Sequence, residues 1–140
     1  MTVKYPNGQA YKHSKPRKTA KHVKRGPGPE QVIQKNIIAA LAMAGHHIWR
    51  MNVGSVETKD GRRFNAGPQA GFPDLCGYRK SDGTMFFIEV KTAKGKRRPA
   101  QEYFAKDIAR DPVIYGVARS AQEALDIVTN GLNRTEDIKK

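Results

Sequence analysis

The sequence predicts an α/β fold, a mixed β-sheet flanked by α-helices. Three observations carry this. Helical and strand patterns follow one another as helix, strands, helix, strand, helix. Two apolar strand patterns enclose the turn Ser81-Asp82-Gly83-Thr84. The helical stretches also carry their own start and stop residues. A chain of 140 residues allows one such domain plus some tail.

Residues 1–29 contain eight Lys or Arg, four Pro and no Asp or Glu. Such a segment buries too little apolar surface to offset its ordering entropy, so 1–28 is expected to be a flexible basic arm. The folded domain is expected over 29–132, followed by a polar tail, 133–140. Gly28-Pro29-Glu30 opens the first helix, with proline near its first position and a carboxylate in its first turn. Ile33, Ile37, Leu41 and Ala44 fall on one stripe, and Gly45 stops the helix. His46 to Val53 reads as a strand. A polar, glycine-rich stretch follows, in which Asp60-Gly61 is a hairpin turn signal. Phe72 to Lys80 and Met85 to Lys91 are two further strands. After a basic loop, Thr92 to Arg98, Pro99 starts a helix that runs to about Arg110, and Asp111-Pro112 breaks it. Val113 to Ala118 is an apolar strand. Ser120 caps the last helix with Glu123 completing a capping box, and Gly131 ends it.

Composition narrows the partners. Lys and Arg number 26 against 13 Asp and Glu, a net charge of +13. That excess favours a polyanion, because each neutralised phosphate releases a condensed counterion. A membrane is not expected: the chain lacks a run of ~18 apolar residues, and its basic segments lack an apolar face. Cys76 is the only cysteine, which excludes an internal disulfide and a cysteine zinc site. With no apolar segment at the N-terminus to serve as a secretory signal, a cytoplasmic setting is expected.

The strand pair around Asp82-Gly83 concentrates charge. With a two- or four-residue loop centred there, Asp74 lies opposite Lys91, and Cys76 opposite Glu89. Side chains alternate faces along a strand, so Asp74, Glu89 and Lys91 project from one face, while Leu75, Phe86, Ile88 and Val90 project from the other toward a core. Two neighbouring carboxylates repel and resist desolvation. A hard divalent cation such as Mg²⁺ or Mn²⁺ resolves that conflict, and Lys91 could orient a water or balance charge on a phosphate. The alternative is an Asp74–Lys91 cross-strand salt bridge with Glu89 facing solvent.

Gly71-Phe72-Pro73-Asp74, then fourteen residues, then Glu89-Val90-Lys91 resembles the PD-(D/E)XK nuclease signature. With Gln101 on the following helix and Glu30 on the preceding one, the pattern is similar to the VRR-Nuc family within it, over residues 29–130. The resemblance implies a restriction-endonuclease-like core that hydrolyses phosphodiesters with Mg²⁺ or Mn²⁺. It implies Asp74, Glu89 and the main-chain carbonyl of Val90 as metal ligands, Lys91 as catalytic, and Glu30 completing the acidic cluster directly or through water. Gln101 would hold the metal shell or the DNA backbone.

The basic residues Lys94, Lys96, Arg97 and Arg98 follow the catalytic strand directly and are expected to contact phosphate, as are Arg62 and Arg63 after the Asp60-Gly61 turn. His46 and His47 point opposite ways and cannot chelate together. Trp49 is expected in the core, while Asn52 and Ser55 could line the site. The function expected is a phage- or mobile-element-like DNA endonuclease, homodimeric, acting on branched DNA such as four-way junctions. The rivals are a flap, nicking or RNA nuclease, and a basic nucleic-acid-binding protein without catalysis.

Overall fold

A computed structural model of the chain describes residues 26–51 and 54–132. The elements run α1 (Pro29–Met43), β1 (His47–Arg50), β2 (Gly54–Glu57), β3 (Arg63–Ala66), β4 (Leu75–Tyr78), β5 (Met85–Val90), α2 (Pro99–Asp107), β6 (Ile114–Ala118) and α3 (Ala121–Asn130), with a 3₁₀ turn at Ile108–Arg110 after α2. Residues 1–25 of the expected arm, Asn52 and Val53 of the first predicted strand, and the tail 133–140 lie outside the described residues.

The expected class is found. One sheet has the order β1-β4-β5-β6; β1 and β4 are antiparallel, β4 and β5 antiparallel, β5 and β6 parallel. A separate hairpin, β2-β3, turns at Gly61, whose φ is +81°. The Asp60-Gly61 signal is borne out, but its two short strands carry mostly exposed residues and so lack the apolar alternation that marks a half-buried strand.

Local chemistry explains the helix ends. Proline occupies the first turn of α1, where a missing N–H costs nothing. At its other end the His46 N–H donates to the Leu41 carbonyl and the Gly45 N–H to that of Ala42, with Gly45 at φ +89°. This is a Schellman stop, which needs the glycine. Ile37 and Leu41 are buried as expected, but Ala44, the capping residue, is exposed. The Ser120 hydroxyl accepts from the Glu123 N–H, and the Glu123 carboxylate accepts from the Arg119 N–H, one residue earlier than a capping box would place it.

α1 and α3 cover one face of the sheet. Ile37 and Leu41 meet Leu75, Phe86, Ile88, Val90, Ile114, Ile127 and Val128 there, each buried aliphatic side chain contributing roughly 1.5–3 kcal/mol. On the other face α2 covers only β5 and β6, where Ala105, Ile108 and Tyr115 pack with Phe87, Phe104 and Val113. The half of that face over β1 and β4 carries no helix. Trp49 lies there, 53% exposed, which corrects its expected place in the core: a helix as short as α2 does not reach the edge strand.

The hairpin register also differs from expectation by two residues. Leu75 pairs with Ile88 and Cys76 with Phe87, so the ladder, continued one step, sets Asp74 across from Glu89 rather than Lys91. The loop is Lys80 to Gly83, closed by the Arg79 N–H on the Thr84 carbonyl and the Gly83 N–H on the Arg79 carbonyl. Gly83 serves as its last residue, at φ +73°, not as the middle of a tight turn. Asp82 secures it, accepting from the Thr84 N–H and the Arg79 guanidinium. A shift of two keeps every side chain on its predicted face.

Candidate active site

The open end of the β4-β5 pair gathers the predicted charges. Phe72 and Pro73 lead into Asp74: Pro73 is fully buried, and the Phe72 ring packs edge-on against Phe87 and Phe104, with centroids 5.7 and 5.2 Å away. Gly71 has φ +92°, and a Cβ there would stand 2.4 Å from the Ala100 carbonyl oxygen. Only glycine lets the chain cross the first turn of α2 so closely. The Gly-x-Pro-Asp segment is thus a packed corner that delivers Asp74 to the end of the sheet.

Asp74 Oδ2 accepts from the Val90 N–H at 2.8 Å. Because N–H and C=O of one extended residue point to the same side of its strand, the Val90 carbonyl also faces the Asp74 side. Glu89 is 1% exposed and Lys91 7%, which overturns the alternative of a solvent-facing Glu89. The Lys91 ammonium sits 3.2 Å from Glu89 Oε1, so its ion pair is with Glu89 rather than Asp74. The same oxygen accepts from Gln101 Nε2 at 2.6 Å, while Gln101 Oε1 accepts from the Arg98 N–H at 2.7 Å. Gln101 therefore ties the start of α2 to the buried carboxylate, and its amide orientation follows from the two bonds. Glu89 Oε2 is buried and has no partner among the described residues.

That carboxyl is strained electrostatically. Burial first, and then the Asp74 charge, push Glu89 up to about 8, with Lys91 opposing. The folded state thus holds a proton that the unfolded chain loses near 4.5. This contribution to stability is complete below about 4.5 and is lost as pH rises through about 8. In a metal chelator the denaturation midpoint should fall between pH 5 and 8, and Glu89→Gln should flatten that slope. A Glu89→Gln protein with the same pH dependence as the parent would show that the slope arises elsewhere.

Asp74 and Lys91 line a cleft of about 280 Å³ with Glu30, Arg98 and Gln101. A second cleft meets it at Asp74 and is lined by Gln34, Arg50, Met51 and Ser55. The structure thus brings Glu30, Asp74, Lys91, Gln101 and Arg98 to one place, with Glu89 behind them, and sets Ser55 nearby. It does not bring in Arg62 and Arg63, which follow the tip of the β2-β3 hairpin; Arg62 pairs there with Asp60 at 3.5 Å. Lys94 and Lys96 are exposed on the loop beside the cleft, while Arg97 Nη1 is buried without a partner among the described residues. Two residues escaped the sequence reading. Arg50 carries a cation to the second cleft. Arg119 Nη1 donates to the carbonyls of Thr92 and Gly95, at 2.6 and 2.8 Å, and fixes the basic loop.

Among the described residues no three His, Cys, Asp or Glu side chains form a metal-binding group; Glu30 shares the cleft without closing a carboxylate triad. Two carboxylates, one with an unpartnered buried oxygen, still suit a hard cation that keeps most of its waters.

A model of the VRR-NUC domain matches residues 28–122. The chain belongs to the VRR-NUC family. The match takes in every residue of the cleft and ends at the start of α3. No curated protein matches the chain. VRR-NUC is a nuclease-type domain, which implies DNA as substrate, and no helix among the described residues is long and apolar enough to cross a membrane.

Proposed function

We propose that this VRR-NUC chain is a Mg²⁺- or Mn²⁺-dependent endodeoxyribonuclease that cuts branched DNA, four-way junctions in particular, as a cytoplasmic homodimer. The observation that carries the catalytic reading is the buried Glu89 carboxylate with its unpartnered Oε2, set across from Asp74 and beside Lys91. Asp74, Glu89 and the Val90 carbonyl would hold the cation, with Glu30 reaching it through water. A cation held there supplies Lewis-acid polarisation of a phosphoryl oxygen and of an attacking water. The protein's own groups do the rest. Gln101 keeps Glu89 in one orientation. Lys91 places a positive charge at the point where a pentacoordinate phosphate gathers negative charge, and Arg98 offers a fork for the phosphate itself.

The branched-DNA reading rests on the shape of the site. Two clefts that meet at Asp74 suit recognition of shape better than of a long base sequence. One site cuts one strand, and a two-fold homodimer would supply the second cut in symmetric position. Cleavage assays on four-way, flap, splayed and plain duplex substrates, with Mg²⁺, Mn²⁺ or chelator, test these points beside light scattering. Paired, symmetric, metal-dependent incisions by a dimer on the four-way substrate are expected. A monomer making single nicks at random would remove the junction reading and leave a nicking nuclease.

A further inference from the structure

The uncovered half of the sheet carries aromatic rings that the site chemistry leaves unused. His47 and Tyr78 stack with centroids 4.5 Å apart and planes at 18°, and Trp49 lies 6.4 Å from His47 and 5.9 Å from Tyr78. All three are exposed, Trp49 most usefully as the only tryptophan in the chain. They project from the face that bears Asp74 and Glu89, since Trp49 pairs with Cys76 and His47 with Tyr78, two and four residues along β4 from Asp74. At ~3.4 Å per residue along a strand and ~4.8 Å between strands, Trp49 on β1 stands roughly 8 Å from Asp74 and roughly 12 Å from Glu89 at the backbone.

We propose that this aromatic group receives unpaired nucleobases of the DNA strand held at Asp74 and Glu89, so that the domain senses unstacked bases two to three steps from the scissile phosphate. The inference rests on the nuclease reading for the position of that phosphate. Three observations carry it. The opposite face is closed by α1 and α3, and α2 closes the β5-β6 half of this one. A strand with its phosphate at Asp74 that continues away from α2 therefore passes over β4 and β1. Between Asp74 and Tyr78 this face presents Cys76, Trp49 and His47 and no further carboxylate, so nothing there repels a polyanion, and the chain as a whole is at +13. Finally, roughly 8 Å from Asp74 equals about two to three base steps at the ~3.4 Å rise of a duplex strand. A paired base in a continuous duplex keeps its π-face inside the stack. A base at a branch point offers it, and exposed aromatic rings bind it without regard to its identity.

Trp49 fluorescence reads the contact directly. The full chain in EDTA is titrated with blunt duplex and with the same duplex bearing an unpaired segment, while anisotropy of labelled DNA records binding. The unpaired substrate is expected to quench Trp49 emission, and the blunt duplex to bind without quenching. By anisotropy, Trp49→Ala should weaken binding of the unpaired substrate roughly ten-fold or more and that of the duplex little, while Trp49→Phe should restore most of the loss. Circular dichroism melts confirm that both variants fold. Three results would overturn the inference: binding of unpaired DNA with unchanged emission, equal losses on both substrates, or a Trp49→Ala protein that changes only from dimer to monomer in light scattering. Quenching that persists in a protein unable to cut any substrate would refute the nuclease reading and keep the base-stacking one.

Discussion

Replacing Asp74 or Glu89 by alanine is expected to abolish cleavage, by about 10³-fold or more, while DNA binding stays within a few-fold of the parent. The size follows from what the carboxylates do: a cation that polarises a phosphoryl oxygen contributes several kcal/mol to the barrier, and either loss breaks the pair that would hold it. Affinity, by contrast, comes mainly from Lys and Arg on phosphates, and neither substitution removes one. The two variants should differ in stability. Asp74→Ala leaves the Val90 N–H without its side-chain acceptor. Glu89→Ala leaves Gln101 Nε2 and the Lys91 ammonium, both now bonded to Glu89 Oε1, without their partner. Single-turnover assays in Mg²⁺ and Mn²⁺, with anisotropy for binding, decide the point. Cutting at near-parent rate by either variant would sink the metal-site reading.

Lys91→Ala should slow the chemical step by about 10²-fold at saturating metal and leave metal binding largely in place. Its ammonium is nearly buried, 3.2 Å from Glu89 Oε1, so its charge acts in a site where little water screens it. Removing it also withdraws the cation that favours ionised Glu89, so the Glu89 proton should oppose metal binding up to a higher pH. Titration calorimetry and single-turnover rates at several metal concentrations separate these effects. A full rate at saturating metal, reached only with weaker affinity, would assign Lys91 to holding the carboxylate rather than to the chemistry.

Much of this site was legible because strand parity survives errors of register. Asp74, Glu89 and Lys91 share a face whether the pairing is Asp74 with Lys91 or with Glu89, and the apolar residues Leu75, Phe86, Ile88 and Val90 take the other face either way. The register itself was not legible, since a glycine in Ser81-Asp82-Gly83-Thr84 serves equally well at several loop positions. The helix ends were readable from Pro29, Gly45, Ser120 and Gly131, each acting within a few residues of itself. Trp49 was misread because an apolar residue in a strand pattern says nothing of whether a helix lies over it. Arg119 was invisible for another reason: its bonds reach Thr92 and Gly95, 27 and 24 residues away, and no local pattern announces such a reach.

That arginine has a consequence for how the domain can vary. The basic loop keeps its shape through its own main-chain carbonyls, held from β6's end by a residue outside the loop. Its exposed lysines, Lys94 and Lys96, are thereby relieved of any architectural duty. Under the proposed function their number and charge could drift, and with them the salt range over which DNA is held, while the carboxylates and Lys91 stay as they are. On that reading substrate grip and bond-breaking would be separable traits, with Arg119 the hinge of the separation: a change there would couple them again, by letting every substitution in the loop alter its path.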